Sequence, residues 1–540
     1  MRDLFLGLDC STQSLTALLI DFSLGKIISQ HSIIFDEELP NYKTQKGIII
    51  LDNNTVIHSY PLMWVEALEM IFSQMKNNNI PLQEVKAISG SGQQHGTVYL
   101  NDKFEKLLKT LNINKSLVSQ LNSVFSRNTS PIWMDSSTTK QCDEIREKLG
   151  GLKSTIEILG SNITERFSGP QIRKFYQENL DGYNRTSIIH LVSSFMASIL
   201  LGKNAPIDHG DGAGMNLMNI KTKQWDDSAI KATAPNLKEK LPSLVSPTSI
   251  LGKISTHFVE KFGLNQETDL IVWSGDNPNS LIGVGLIEKG KTAISLGTSD
   301  TYFSYLHDLY LDFKGEGHVF GAPTGQYMSL ICYKNGSLAR EKIKDNFNLN
   351  WEKFSQVLKR SPPGNNGKIM LPYFFPEIVP QVLKPKVYRF GFDENDIEGN
   401  VRGIIEAQFL SMKLHSEWIG EKPKKIYATG GGSANEDILQ IVANIFNKKV
   451  CAFQITNSAA LGAAFRAAKS YYDSKNEIKT WKEIINKFKQ PQSSKLIEPE
   501  QKYIELYNDM LDIYSKYENF ILRNGKNPES ARLRFIKKYF

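Results

Sequence analysis

The residues best suited to do chemistry lie between Leu270 and Thr301. A short apolar stretch, Leu270–Trp273, predicts a strand and is followed by Asp276, Asn277 and Pro278. Because proline is tolerated in the first turn of a helix, a helix is predicted to follow this strand. The carboxylate of Asp276 would then lie at the positive end of the helix dipole and face a ligand bound there.

A second apolar strand, Thr292–Leu296, ends in the turn Gly297-Thr298-Ser299-Asp300-Thr301. The free backbone N–H groups of such a glycine and hydroxyl turn suit a phosphate. A carboxylate and a phosphate cradle so close in sequence indicate phosphoryl transfer to a hydroxyl group. Either motif alone is also an ordinary turn sequence, so the rest of the chain must decide between a catalytic and a structural interpretation.

The N-terminal segment repeats this hairpin chemistry. The apolar stretch Leu4–Asp9 ends in an acid, Cys10–Ser14 forms a polar turn, and Leu15–Phe22 returns as a second strand. Like residues 297–301, this turn carries Thr and Ser between two strands, which makes a weak internal repeat. Two such hairpins facing one another would hold a polyphosphate from both sides.

Two glycine-rich turns and one arginine are further candidates. The turn Gly90–Gly96 carries amides and the imidazole of His95 and suits a polyol, although a loop histidine without function is the commoner case. The glycines of Gly430–Gly432 stand between a strand and a helix, where they would let a ligand approach the backbone. Arg166 lies in a turn of its own. The acidic loop Asp208–Gly214 does not have EF-hand spacing, so a structural turn is expected there.

Composition bounds the class of protein. The 540-residue chain is 41% hydrophobic and 22% charged, which is typical of a globular protein of two domains with an appendage. No stretch is apolar enough to predict a membrane span, and the N-terminus enters a strand at once, so no signal peptide is expected. The four cysteines lack metal-ligand spacing and indicate reduced thiols in the cytoplasm. A net charge of +7 makes a nucleic-acid surface a weak hypothesis.

A polar connector at Thr248-Ser249 suggests domains at residues 1–250 and 251–472, followed by a basic helical tail at 473–540. Apolar residues in the tail recur at three- and four-residue spacing and predict two amphipathic helices, around Trp481–Phe488 and Tyr503–Tyr514. The breaks at Gln490-Pro491 and Glu498-Pro499 would separate them. We expect these helices to fold back onto the body and to contribute stability or an interface, without active-site groups.

The ordered motifs resemble the carbohydrate kinases of the sugar kinase, actin and Hsp70 superfamily. The phosphate and adenosine motifs of that superfamily are similar to LGLDCSTQS, ISLGTSDT and YATGGGSAN. Within that superfamily, the chain resembles the eukaryotic xylulose kinases in the motifs SGSGQQHG, PIWMDSSTT, ERFSG, LVSSF, DGAGMNL, GDNP and KNGSL. The resemblance covers roughly residues 1 to 470 and is not extended to the tail.

This resemblance implies an α/β fold of two ribonuclease-H-like domains around a cleft, with sugar on the N-terminal side and ATP on the C-terminal side. It implies sugar ligands, nucleotide ligands and a carboxylate that orders Mg²⁺ through water. The implied sugar ligands are His95, Arg166, Asp276 and Asn277, with Asp276 as the catalytic base. The implied phosphate and nucleotide ligands are Thr12, Gln13, Gly297, Thr298, Trp351, Gly431, Gly432 and Asn435, and the implied magnesium residue is Asp9.

The implied activity is ATP-dependent phosphorylation of D-xylulose at its C5 hydroxyl, with no nucleic-acid or membrane partner, by a cytoplasmic monomer or homodimer. A kinase for ribulose, gluconate or glycerol is the alternative within the same fold. A non-catalytic, actin-like nucleotide switch is the alternative from another class, but such a protein would not need the corner formed by Gln94, His95, Arg166 and Asp276-Asn277. A third alternative makes the basic tail the functional part, which would anchor the chain to nucleic acid or to an acidic surface.

Overall fold

The computed structural model describes residues 2–52, 54–452, 457–488 and 496–540. The chain divides into two compact units. The first comprises Met1–Ile287, Val319–Met328 and Thr456–Gln490, and the second comprises Glu288–His318, Ser329–Ile455 and Pro491–Phe540. In the described part of the chain, no helix combines the length and apolarity needed to cross a membrane.

Up to residue 287 the chain alternates strands and helices. The strands are β1 (Leu4–Cys10), β2 (Ser14–Asp21), β3 (Lys26–Ile34), β4 (Ile49–Asp52), β5 (Val56–Ser59), β6 (Val85–Gly92), β7 (Thr97–Leu100), β8 (Ser130–Pro131), β9 (Ile188–Leu191), β10 (Ile207–Asp208), β11 (Leu244–Val245), β12 (Ile250–Lys253), β13 (Asp269–Ile271) and β14 (Ser274–Gly275). The helices are α1 (Phe35–Glu38), α2 (Pro61–Asn77), α3 (Lys103–Leu108), α4 (Leu117–Leu121), α5 (Thr139–Lys148), α6 (Leu152–Leu159), α7 (Ser168–Glu178), α8 (Leu180–Arg185), α9 (Val192–Leu201), α10 (His209–Ala213), α11 (Asp227–Thr233), α12 (Thr256–Phe262) and α13 (Asp276–Gly283).

The remaining elements follow from residue 291. The strands are β15 (Lys291–Leu296), β16 (Asp300–Leu306), β17 (His318–Gly321), β18 (Tyr327–Tyr333), β19 (Ile369–Pro372), β20 (Val387–Phe390), β21 (Lys425–Thr429), β22 (Lys449–Ala452) and β23 (Leu496–Ile497). The helices are α14 (Ser337–Asn346), α15 (Trp351–Arg360), α16 (Ile397–His415), α17 (Glu436–Phe446), α18 (Ser458–Ser474), α19 (Trp481–Lys487), α20 (Ile504–Arg523) and α21 (Glu529–Tyr539).

Each unit is built on one mixed sheet. The first has the strand order β12-β13-β6-β1-β2-β3, with β14 also paired to β6, and the second has the order β18-β16-β15-β21-β22-β23. In both, a hairpin strand has an antiparallel partner on one side and a parallel strand on the other: β1 lies between β2 and β6, and β15 lies between β16 and β21. The hairpin repeat seen in the sequence is therefore present as a repeat of topology.

Burial explains why these strands read as apolar runs. The side chains of Leu4, Leu6 and Leu8 on β1 are fully buried, and so is Phe5 between them. Strands covered on both faces lose the alternation of apolar and polar residues that marks a half-exposed sheet. The small-residue helix α18 packs against β1 and β6, as its composition predicts.

The compact units do not follow the sequence-based boundaries. The boundary at 250/251 falls inside the first unit, because β12 and β13 join the sheet of β6. The boundary at 472/473 falls inside α18, which continues to Ser474. Pairing in a sheet, which sequence periodicity does not reveal, assigns β12 and β13 to the first unit.

The tail packs on the body, as expected, whereas its contribution to stability or to an interface stays a prediction. The predicted tail helices are α19 and α20, whose residues Ile484, Tyr507 and Tyr514 are buried. The break at Glu498-Pro499 follows β23, which pairs with β22 of the second sheet, whereas Gln490-Pro491 lies outside the described residues. Helix α21 is an addition that the sequence pattern did not predict.

Candidate active site

Asp276 is the first residue of helix α13, as predicted. Strand β14 pairs with the end of β6 and delivers Asp276 as the first residue of the helix. Its Oδ1 accepts hydrogen bonds from the backbone N–H of Asn277, at 2.9 Å, and from Asn277 Nδ2, at 3.1 Å. Asn277 Nδ2 also donates to Gln94 Oε1 at 2.7 Å. These contacts fix the orientation of the carboxylate before any substrate binds.

The surroundings of Asp276 suit a general base. Burial, together with the negative charge of Asp9, raises its pKa from 3.8 to about 7. A base is most effective when its pKa lies near the operating pH, because it is then ionised yet still binds the proton firmly. The environment that disfavours the ionised form of the Asp276 carboxylate in the folded chain therefore also favours proton transfer to it.

A buried arginine holds helix α13 from behind. The guanidinium of Arg466 on α18 donates to Asp208 Oδ2 at 3.0 Å and to Asn279 Oδ1 of α13 at 3.1 Å. Asp208 Oδ1 in turn accepts from Ser274 Oγ, two residues before the candidate base, at 2.9 Å. The loop expected to be a structural turn thus belongs to a buried network that fixes the position of the base.

Asp9, the last residue but one of strand β1, provides an open carboxylate oxygen. Its Oδ1 is buried and has no hydrogen-bond partner in the part of the chain that the structure describes. Burial raises its pKa to about 6. The described residues contain no cluster of three or more His, Cys, Asp or Glu that could hold a metal ion. This arrangement fits a divalent cation that keeps most of its water and is held by one carboxylate and substrate phosphates.

His95 is held as a neutral imidazole with a defined tautomer. Its Nδ1 lies 2.8 Å from the carbonyl oxygen of Gly214, and its ring stacks on Phe167 with centroids 4.1 Å apart. Burial, followed by the positive charge of Arg166, lowers its pKa to about 3. Because a carbonyl can only accept, Nδ1 carries the hydrogen and the Nε2 lone pair is an acceptor. His95 can therefore accept a hydrogen bond from a sugar hydroxyl.

Arg166 complements this acceptor. Its guanidinium carbon lies 5.9 Å from the centroid of the Phe167 ring, on the segment that stacks against His95. Ser168 Oγ donates to the backbone carbonyl of His95 at 3.1 Å, which ties the two segments together. A guanidinium supplies only donors, so the corner offers donors from Arg166 and an acceptor from His95. A polyol with one carbonyl group requires this combination.

The turn after β1 carries Thr12 and Gln13, three and four residues after Asp9. Thr12 Oγ1 accepts a hydrogen bond from Trp133 Nε1 at 2.9 Å, and the backbone carbonyl of Gln13 accepts from Phe35 at 3.0 Å. The side chain of Gln13 is exposed. The turn is therefore held from two sides while its polar groups stay accessible to an anion.

The second unit brings Gly297, Gly431 and Gly432 together. Residues Gly430–Gly432 follow β21, which runs parallel to β15, and they lie against Leu296 at the end of β15. A Cβ on Gly432 would come within 2.9 Å of the Leu296 side chain, whereas a Cβ on Gly431 would meet no atom within 4 Å. The backbone at Gly431 therefore borders open space, which suits the close approach of a ligand.

Trp351 and Asn435 belong to two helices that touch near this turn. Asn435 caps α17 and donates from Nδ2 to Ser355 Oγ on α15 at 2.5 Å. Trp351 opens α15, is 46% exposed, and could stack on a flat ring. Thr298 is exposed on the hairpin between β15 and β16. Gly297 and Thr298 therefore follow the end of β15, Gly431 and Gly432 follow the end of β21, and Asn435 links α17 to the helix that carries Trp351.

Several contacts of the site were not predicted. The Gly214 carbonyl, the ring of Phe167 and the indole of Trp133 each fix a predicted residue. Phe167 and Trp133 lie inside the motifs ERFSG and PIWMD, so the motifs were a signal for them. Gly214 lies inside the motif DGAGMNL, but its contact with His95, 119 positions away, was not predicted from that motif.

Comparison with known families decides the class of this chain. The model of the FGGY family of carbohydrate kinases, N-terminal domain, matches residues 4–120 and 127–283, and that of the C-terminal domain matches residues 292–471. The chain belongs to the FGGY family of carbohydrate kinases. The gap between the two matched regions, residues 284–291, contains the boundary between Ile287 of the first compact unit and Glu288 of the second.

Similar proteins extend over nearly the whole of this carbohydrate kinase. The chain is 38% identical to Xylulose kinase of Rattus norvegicus over 534 residues, covering 97% of this chain and 98% of the rat protein. It is 44% identical to Xylulose kinase 2 of Arabidopsis thaliana over 489 residues, covering 86% and 87%. Because the rat alignment leaves only 3% of this chain uncovered, it extends into residues 473–540. The limit of the resemblance near residue 470 was therefore set too early.

Solved structures confirm the expected two-domain α/β fold. A crystal structure described as a xyloylose kinase from Brucella ovis has a TM-score of 0.81 at 18% identity, covering 96% of this chain and 99% of that one. At this identity the likeness shows the fold and says nothing about the sugar.

Proposed function

We propose that this carbohydrate kinase transfers the γ-phosphoryl group of ATP to the C5 hydroxyl of D-xylulose, giving D-xylulose 5-phosphate and ADP. The observation that carries the chemistry is the oriented carboxylate of Asp276, whose pKa of about 7 suits a base. The choice of sugar rests on the similarity over nearly the whole chain to two proteins named xylulose kinase.

The sugar is oriented by the corner around His95. The Nε2 lone pair of His95 accepts a hydrogen bond from a sugar hydroxyl, since Gly214 fixes the hydrogen on Nδ1. Arg166 donates to the ketone oxygen, and Asn277 binds the hydroxyl next to the one that reacts. Holding the reacting hydroxyl beside the base converts a bimolecular encounter into a step within one complex.

Proton transfer and bond exchange take place at the C5 oxygen. Asp276 accepts the hydroxyl proton as the bond from this oxygen to the γ-phosphorus forms. The bond between the γ-phosphorus and the oxygen bridging to the β-phosphate breaks, and ADP leaves with that electron pair. Because the transition state of phosphoryl transfer is loose, the chain acts mainly by positioning the reactants and stabilising charge.

In this proposal the phosphates of ATP bind the two polar turns, and its adenosine binds the glycine-rich segment. Backbone and hydroxyl groups of two turns contact phosphate oxygens, and the segment after β21 with helix α15 receives the nucleoside. The phosphate ligands in this proposal are Thr12, Gln13, Gly297 and Thr298, and the nucleoside ligands are Trp351, Gly431, Gly432 and Asn435. The open backbone at Gly431 and the exposed indole support this assignment.

Asp9 is the residue proposed to order Mg²⁺ through water. Its unpartnered Oδ1 is suited to accept hydrogen bonds from coordinated water. When bound, Mg²⁺ supplies positive charge that stabilises the transferred phosphoryl group and the leaving diphosphate.

A panel of sugars assayed with MgATP and coupled detection of ADP tests the function. We expect D-xylulose to give the highest kcat/KM among D-xylulose, ribulose, gluconate and glycerol. A higher kcat/KM for another polyol would show that this polyol, and not D-xylulose, is the substrate, while the assignment as a kinase would stand. Binding of ADP without sugar-dependent turnover of ATP would favour a nucleotide switch instead.

We also propose that this kinase works in the cytoplasm as a monomer or homodimer. Within the described residues, the thiols of Cys10, Cys142 and Cys451 form no disulfide, as expected in a reducing compartment. Light scattering coupled to gel filtration would distinguish the two assemblies, and fractionation of cells would test the location.

A further inference from the structure

A buried ion pair braces the second phosphate hairpin, 297–301. Asp300 ends the turn, and its carboxylate receives two parallel hydrogen bonds from Arg340 on α14, from Nη1 to Oδ2 at 2.7 Å and from Nη2 to Oδ1 at 2.9 Å. Both side chains are 2% exposed. Two parallel bonds define the position of the carboxylate in distance and in plane, which a single contact does not.

The same arginine links the hairpin to the turn that precedes α14. Arg340 Nη1 donates to Gln408 Oε1 at 2.9 Å, and Gln408 Nε2 donates to the backbone carbonyl of Gly336 at 3.0 Å. The N–H of Ser337 donates to the carbonyl of Gly297 at 2.8 Å. A Cβ on Gly336 would lie 2.6 Å from the backbone nitrogen of Asp300, so this close approach requires glycine.

These contacts explain the motif KNGSL, which the sugar and nucleotide ligands do not account for. Thr298 and Ser299 are exposed at the tip of the hairpin, whereas Asp300 is buried at its base. The position of the buried residue Asp300 therefore determines how the exposed residues Thr298 and Ser299 are presented to an anion. Arg340 also neutralises a carboxylate that would otherwise place an unpaired negative charge beside the bound phosphates.

We infer that Arg340 is a positioning residue for nucleotide binding: by pairing with Asp300 it holds the hairpin in the conformation that receives the phosphates. This inference rests on the proposed contact of Gly297 and Thr298 with the nucleotide. Arg340 acts through Asp300, since its own side chain is buried.

The test compares two buried arginines of the second unit. Arg402 on α16 pairs with Glu406, from Nε to Oε1 at 2.7 Å, and donates to the hydroxyl of Tyr507 at 2.7 Å, with no contact to the hairpin. Arg340→Met and Arg402→Met therefore each remove a buried ion pair, but only the first removes the brace. The measurements are the Kd for ADP by titration calorimetry and the KM for D-xylulose at saturating ATP.

We expect Arg340→Met to raise the Kd for ADP about tenfold or more and Arg402→Met to change it by less than about twofold. The KM for D-xylulose should change by less than about twofold in both variants. If Arg340→Met does not fold, the paired change Asp300→Leu with Arg340→Met removes both charges and should give the same rise in Kd. Equal effects of the two arginines on the Kd, or none from Arg340, would overturn the inference.

The wild-type chain separates this inference from the proposed function. Binding of ADP together with phosphorylation of D-xylulose supports both. Binding of ADP without phosphorylation overturns the proposed reaction, while the comparison of the two arginines still decides the inference. A wild-type chain that does not bind ADP overturns the inference as well.

Discussion

Replacing Asp276 by asparagine should remove activity and at the same time stabilise the fold. Asparagine keeps the shape of the side chain and can still accept from the N–H of Asn277, but it cannot take up the hydroxyl proton. General base catalysis contributes about a hundredfold to ten-thousandfold in rate, so kcat should fall by at least about a hundredfold. That loss corresponds to about 3 kcal/mol or more in the activation free energy. Nucleotide affinity should stay near the wild-type value.

The stability change follows from the pKa of the carboxylate. Its value rises from 3.8 in the unfolded chain to about 7 in the folded one, so the group stabilises the fold below 3.8 and loses that contribution as the pH rises through 7. The full shift corresponds to about 4 kcal/mol, and the partial exposure of Asp276 reduces this to about 1 or 2 kcal/mol. Asp276→Asn should therefore raise the Tm at pH 8 by about 1 to 4 °C and have little effect at pH 4.

Two assays test this reasoning separately. Coupled ADP detection gives kcat, and thermal unfolding at pH 4 and pH 8 gives the difference in Tm, with Asp512→Asn as a control at an exposed acid paired with Lys516. Near-normal kcat in the Asp276 variant would remove this residue from the mechanism. A lower Tm at pH 8 would refute the claim that the ionised carboxylate is unfavourable in the folded chain.

Four further predictions use the same assays. Arg166→Ala should raise the KM for D-xylulose about tenfold or more, while the KM for ATP stays within about twofold. In pH profiles, kcat/KM for D-xylulose should fall as the pH drops below about 7, the pKa of Asp276. His95 should add no step near 6.5, because its pKa is about 3. Gly431→Val should raise the KM for ATP with little change in Tm, because its Cβ would meet no protein atom within 4 Å. Tyr507→Phe removes a buried hydroxyl bonded to an Arg–Glu pair and should cost about 1 kcal/mol of stability without lowering kcat.

Local sequence signals predicted the parts of the fold that local forces decide. Helix α13 begins at Asp276 as expected, because proline in its first turn and a preceding strand define that start. The hairpins after β1 and β15 were also predicted from apolar runs and polar turns. Short-range backbone preferences and burial are enough to encode such elements.

Long-range pairing decided what the sequence did not reveal. Residues 250–287 join the first sheet because β12 and β13 pair there, although a polar connector precedes them. Strand β23 is two residues long and becomes a strand only because Val450 and Cys451 offer it a partner. The pairing partner, rather than any property of the segment, determines these assignments.

The candidate site shows the same division. The order of motifs assigns the candidate residues, and these residues lie in two groups, one in each unit. The chemical state of His95 was not predictable, since it depends on the carbonyl of Gly214 and the charge of Arg166. A residue type indicates which chemistry is possible, whereas its tautomer and pKa follow from neighbours distant in sequence.

Unpartnered polar atoms in the first unit indicate where binding energy is stored. Asp9 Oδ1, Gln93 Nε2, Gln94 Nε2 and Asp211 Oδ1 are buried and have no hydrogen-bond partner in the described residues. An unsatisfied buried polar group costs about 1 to 3 kcal/mol, and Gln93 and Gln94 both belong to the segment that ends in His95. A ligand that supplies hydrogen-bond partners for these atoms recovers this free energy. The instability predicted for the ionised Asp276 carboxylate and the affinity for the sugar therefore have a common origin, which is the burial of polar groups in the first unit.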